Sequence, residues 1–171
     1  MQIFVNGNEV TFNRKDETYI SEVLVGFKEW LEQNGFYLES VAVDQVFYHA
    51  GNITELAEKK IDDVKKIEVT ALSKLEIEFI QYSLVRNYFS ALIKAIDEKN
   101  QNALANLASQ YDEIQKTLSL NVKFAQGNEN QLELMLKNPT DGENPDAIKN
   151  AALSIVKLCE NGLEEIKNGK N

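Results

Sequence analysis

One histidine and one cysteine among 171 residues leave little material for an active site, so these two are weighed first. His49 lies in Phe47-Tyr48-His49-Ala50-Gly51, where a strand end or turn is expected. Its imidazole could act as a base or hold a metal, but with so few partners it reads as a polar residue of a loop. Cys159 could be a nucleophile, yet it falls on the apolar seam of the last expected helix and reads as a packing residue. A zinc site built on this pair would need carboxylates for its remaining ligands, an uncommon structural arrangement. The acidic run Asp141-Gly142-Glu143-Asn144-Pro145-Asp146 invites calcium but lacks the ligand alternation, the central glycine placement and the distal glutamate of an EF-hand loop. Turn and capping roles account for all its residues. Paired acids such as Asp62-Asp63 and Glu164-Glu165 read as solvated faces, and neither a glycine-rich phosphate loop nor a Gly-x-Ser-x-Gly elbow occurs. The expectation is a protein without catalytic residues, metal or cofactor.

Recognition chemistry is better represented. Phe79, Tyr82, Tyr88 and Phe89 cluster on the first long expected helix, and Trp30 sits on the flank of an earlier helix's apolar stripe. Core packing is the plainer account of such aromatics. The alternative is a partner-binding surface, or one shared between two domains, because aromatic side chains often anchor interfaces. A net charge of −9, with basic residues mostly single, disfavours nucleic acid and anionic membrane as partners. The apolar runs are a few residues long, far below the roughly 20 needed to cross a bilayer. The start, Met1-Gln2-Ile3-Phe4-Val5, lacks the basic opening of a signal peptide, and a single cysteine cannot form an internal disulfide, so a cytoplasmic location is expected.

The elements that would position these residues change character along the chain. Met1 to Val5 and Glu9 to Phe12 are β-prone runs around Asn6-Gly7, a strong hairpin signal because both residues tolerate positive φ. Ile20, Val23, Leu24, Phe27 and Leu31 then recur at helical spacing, with Thr18 or Ser21 available to cap the start and Gly35 to close the end. Ser40 to Asp44, Val46 to Tyr48 and Ile67 to Leu72 are further strand candidates, giving β-β-α-β-β-β with a short helical turn before the last strand.

That order resembles the β-grasp fold of the ubiquitin-like superfamily. "MQIFVNGNEVTF" looks in particular like the start of the small sulfur carriers, and the likeness continues through "ISEVLVGFKEWLEQNG", "VAVDQVFYHAG" and "IDDVKKIEVTAL". The resemblance covers residues 1–72 and implies a fold and an interaction surface. Carriers and modifiers of that superfamily end in a diglycine whose carboxylate is adenylated. Here the last strand runs instead into Ser73-Lys74-Leu75-Glu76, so carrier chemistry is not implied.

From Leu75 the period lengthens. Leu75, Phe79, Tyr82, Val85, Phe89, Leu92 and Ile96 form a seam near 3.5 residues, broadened by Ile77, Ile80, Leu84, Tyr88 and Ile93. A second helix is predicted from about Asn102 to Phe124 and a short third over Glu129 to Lys137. Asn144-Pro145 reads as an N-cap and first helical residue, opening a helix with Ile148, Ala152, Ile155, Cys159, Gly162 and Ile166 on its seam.

The sequence thus predicts an α+β protein: a β-grasp domain over 1–72 and an antiparallel three- to four-helix bundle over 73–171. The function expected is a non-catalytic adaptor binding other proteins. One alternative is an assembly subunit forming a homodimer through the bundle; another is a small-ligand binder or enzyme using a cleft between the domains.

Overall fold

The structure, a computed structural model, describes residues 1–120 and 144–169. The expected helix over Glu129 to Lys137 and most of the acidic loop lie outside the described residues. The chain is α+β and divides into two compact units, Met1–Ile77 and Glu78–Asn171.

The first unit is a five-stranded mixed sheet with one long helix. Strands β1 (Gln2–Val5), β2 (Asn8–Val10), β3 (Phe36–Val43), β4 (Val46–His49) and β5 (Lys66–Ser73) lie in the order β2-β1-β5-β3-β4. β1 and β5 are parallel at the centre and all other pairs are antiparallel. This order, with helix α1 (Ile20–Gln33) between the two hairpins, is the arrangement the β-grasp resemblance implies. Alternation puts Ile3, Val41, Val43, Ile67, Val69 and Ala71 on the face that α1 covers. The helix contributes Ile20, Val23, Leu24 and Leu31 to that core, and the 3₁₀ turns Ala50–Leu56 and Ile61–Asp63 add Leu56 and Ile61.

Both hairpins turn on two residues with positive φ. Asn6 (49°) and Gly7 (80°) make the first turn, as Asn-Gly predicts; Asp44 (47°) and Gln45 (73°) make the second without a glycine. The two leading residues play matching parts. The Asn6 amide donates to the Ala71 carbonyl and accepts from the Ala71 N–H, both at 2.9 Å. The Asp44 carboxylate accepts from the N–H groups of Lys65 (3.0 Å) and Lys66 (2.9 Å). Each hairpin is thereby fastened to one end of central strand β5. The Lys66 N–H, then that of Lys65, hold the Asp44 carboxyl below its usual range.

Two boundaries differ from the sequence reading. β2 stops at Val10, and Phe12 leaves the sheet to pack on Phe27 of α1. β3 begins at Phe36, directly after left-handed Gly35, and a register irregularity between Leu38 and Ser40 carries it onto β5. The cap of α1 is neither Thr18 nor Ser21. Tyr19 is the N-cap, and the Glu22 carboxylate reaches back to the N–H groups of Thr18 and Tyr19.

Where a carrier would end in diglycine, Ser73 and Glu76 form a reciprocal capping box. The Glu76 N–H donates to Ser73 Oγ (3.2 Å) and the Ser73 N–H to the Glu76 carboxylate (2.7 Å). Helix α2 (Lys74–Asp97) therefore starts at the residue after β5 ends.

In the second unit, α2 packs with α3 (Gln101–Leu120) and α4 (Pro145–Lys167) around Val85, Phe89, Leu92, Ala152, Ile155 and Cys159. α2 runs antiparallel to α4: its end meets the start of α4 through Asp97 and Lys149, and Tyr82 lies against Gly162. A Cβ on Gly162 would stand 2.6 Å from the Tyr82 ring, so this seam position has room for hydrogen only. Lys99 takes the left-handed conformation at the end of α2 (φ 53°), and Asn100 accepts from the Ala103 N–H to start α3. Asn144 caps α4 ahead of Pro145, as predicted. No described helix is long and apolar enough to cross a membrane.

Candidate functional site

The aromatic residues singled out from sequence divide into two groups. Tyr82, Tyr88 and Phe89 are buried in the helical core, so they offer no surface to a partner. The reason is helical phase: the seam that buries Val85 and Leu92 continues through them. Tyr88 donates to the Leu107 carbonyl at 3.2 Å and its ring meets Phe89 edge-on. Burial, then neighbouring Tyr111, raises the Tyr88 hydroxyl far above the ordinary phenol range. Burial pushes Tyr111 up to about 12, and its hydroxyl is enclosed without a hydrogen-bond partner among the described residues. Phe79 (40% exposed) and Trp30 (48% exposed) do face solvent. Ile80 and Leu84 of α2 are exposed as well, and among the described residues the buried part of the α2 seam begins at Tyr82.

His49 belongs to the sheet unit and Cys159 to the helical unit. Cys159 is fully buried, and its thiol is pushed up to about 12, chiefly by burial, which keeps it protonated and unreactive. His49 is exposed at the end of β4, its ring 5.0 Å from Phe47 and edge-on to it. Among the described residues no three His, Cys, Asp or Glu side chains gather to hold a metal ion.

Two solvent-facing apolar features of the sheet unit bear on recognition. The first is the sheet face opposite α1. Pairing places Glu9, Phe4, Glu68, Ala42 and Phe47 in one row across all five strands. Phe4 lies under Lys66, whose Nζ is 4.8 Å from the ring centroid and 2.8 Å from Glu68. The row ends on edge strand β4 at Phe47 (58% exposed); neighbouring Val46 (52%) pairs with Val43 and projects to the other face. Edge strands with exposed apolar side chains are ready surfaces for association. Sequence reading placed β4 but not its exposure; alternation of Phe47 against Tyr48, which packs on the core, was the available signal.

The second is a groove of about 390 Å³ between α1 and the segment after β2. Phe12, Phe27 and Trp30 line it with ring centroids 6.1 and 6.4 Å apart in succession. Glu17, Glu22 and Lys15 supply its polar rim. Its helical floor is Gly26, where a Cβ would meet nothing within 4 Å. Glycine inside a helix costs about 1 kcal/mol relative to alanine, and no packing contact here requires one. Phe12 and Phe27 were missed as site residues because Phe12 reads as strand and Phe27 as core.

Residues 1–73, nearly the whole sheet unit, match the protein family described as the TP0873 N-terminal domain. No curated protein and no solved structure matches the chain.

Proposed function

We propose that the chain is a non-catalytic interaction protein, a ubiquitin-like module joined to a helical unit, that binds other proteins through its sheet unit. The observation that carries this reading is the exposure of Phe47 on edge strand β4, in register with Ala42, Glu68 and Phe4. Large apolar side chains displayed on a sheet edge lower the free energy of a partner that covers them. The His49 ring meets Phe47 edge-on, and Cys159 is sealed in the helical core, which supports the non-catalytic part. The net charge of −9 weighs against nucleic acid as the partner. The test is affinity capture from native lysate with the intact chain and with Phe47→Glu. A protein retained by the first and lost with the second is the expected result; equal recovery, or none from either, overturns the reading.

A second reading, an assembly subunit that self-associates, is favoured by the exposure of Phe79, Ile80 and Leu84 along α2. Light scattering behind size exclusion would show a dimer that Leu84→Glu returns to monomer; a monomer at high concentration removes this reading.

A further inference from the structure

Glu22, Gly26 and Trp30 stand four residues apart, which puts them on one ridge of α1. The ridge carries a carboxylate at one end, an indole at the other and no side chain between. Val23 and Phe27 flank the notch, and Phe12 closes its far wall. Glycine weakens a helix, yet alanine would fit at position 26 without touching anything, so what the glycine leaves is open space on the groove floor. Backbone N–H groups orient the two acids. Glu22 Oε2 receives Thr18 (2.7 Å) and Tyr19 (2.9 Å), and Glu17 Oε2 receives Lys15 (2.7 Å). These bonds hold both carboxyls ionised, below their ordinary range. Lys15 is the one basic residue lining the groove, so the two acids outnumber it.

Aromatic rings beside ionised carboxylates fit one ligand chemistry well. A cation on an alkyl stem gains from the π-faces, from the carboxylates and from burial of its methylenes. An anion would be repelled by the two acids, and an uncharged apolar side chain would gain nothing from them. We propose that the groove over Gly26 receives an arginine or lysine side chain presented by a partner protein. This rests on the reading of the chain as an interaction protein and names what that partner presents.

Trp30 is the only tryptophan, so its emission reports on the groove in the intact chain. The probe is a blocked tetra-arginine peptide, with tetra-citrulline as its uncharged counterpart. The expected result is a saturable change in Trp30 emission with the arginine peptide and none with citrulline. Gly26→Leu, which fills the notch, and Glu22→Gln should each weaken binding about tenfold or more while the helical circular dichroism is kept. Glu17→Gln serves as a second charge variant should Glu22→Gln loosen the helix start. A response that is absent, that citrulline reproduces, or that Gly26→Leu leaves unchanged overturns the proposal; the last outcome would mark general attraction to an acidic surface. Phe47→Glu should leave this titration unchanged. A silent groove beside Phe47-dependent capture would therefore sink this inference alone.

Discussion

The two units treat most of their aromatic residues differently. Among the described residues, the helical unit encloses Tyr82, Tyr88, Phe89 and Tyr111 and leaves Phe79 open, whereas the sheet unit leaves Trp30, Tyr37 and Phe47 in water and Phe12 and Phe27 along a groove. Their fastening differs too. The helical core is apolar, with a Tyr88–Leu107 hydrogen bond and one enclosed hydroxyl. The sheet unit adds directional polar clamps at Asn6, Asp44 and Ser73–Glu76. A unit whose strands are positioned by clamps can keep large side chains outside without losing register. A bundle held by apolar interdigitation draws most of its rings inward.

The contrast is broken most directly by paired truncations. Phe89→Ala should cost about 3–5 kcal/mol in urea unfolding of the helical unit, because a fully buried ring leaves a cavity. Phe47→Ala should change stability by no more than about 0.5 kcal/mol, as an exposed side chain does. Comparable losses would mean that Phe47 is not the surface group its exposure makes it. Next in size is Asn6→Ala, which removes two hydrogen bonds and places a side chain ill-suited to φ 49°. The cost should be about 2–4 kcal/mol, and Asn6→Gly should recover the conformational share, about 1–2 kcal/mol.

A finer comparison lies between the two buried tyrosines. Tyr88→Phe should destabilise by about 1 kcal/mol by leaving the Leu107 carbonyl unpaired, while Tyr111→Phe should be neutral or stabilise by up to about 1 kcal/mol. Equal losses in thermal denaturation would place a partner on Tyr111. The smallest effect is a pH dependence. The Asp44 carboxyl is lowered in the folded state, so its contribution is fully present above its unfolded value near 3.8 and disappears as pH falls through the folded value. The stability difference between the wild type and Asp44→Asn should be constant from pH 7 to pH 5 and shrink below pH 4. A difference that grew on acidification would reverse the sign of that clamp.

Much of the fold was legible because its signals are local. Asn6-Gly7 demands a tight turn, Asn144-Pro145 opens a helix, and the seam from Ile148 to Ile166 reappears with Ala152, Ile155, Cys159 and Gly162 buried. What escaped depended on distant partners. Asp44-Gln45 turns without glycine because Asp44 is held by residues far along the chain. Ser73 and Glu76 carried a readable capping signal that the missing diglycine overshadowed. The α2 seam keeps its period through Leu75 and Phe79, but period does not tell where a covering helix stops. The candidate groove was the least legible part. Trp30 could be marked on the flank of its stripe, but the pairing of Phe12 with Phe27 joins two elements that sequence spacing does not connect.

Asn6 also bears on how the molecule ages. An Asn-Gly pair invites attack of the following backbone nitrogen on the side-chain amide, because glycine offers no shielding, and the product after hydrolysis carries an acid in place of the amide. At position 6 that exchange would replace the nitrogen that donates to the Ala71 carbonyl with a charged oxygen, setting two acceptors face to face. The residue that fastens the first hairpin is thus also where slow chemistry in storage would begin to release it, from a turn whose shape depends on the same side chain.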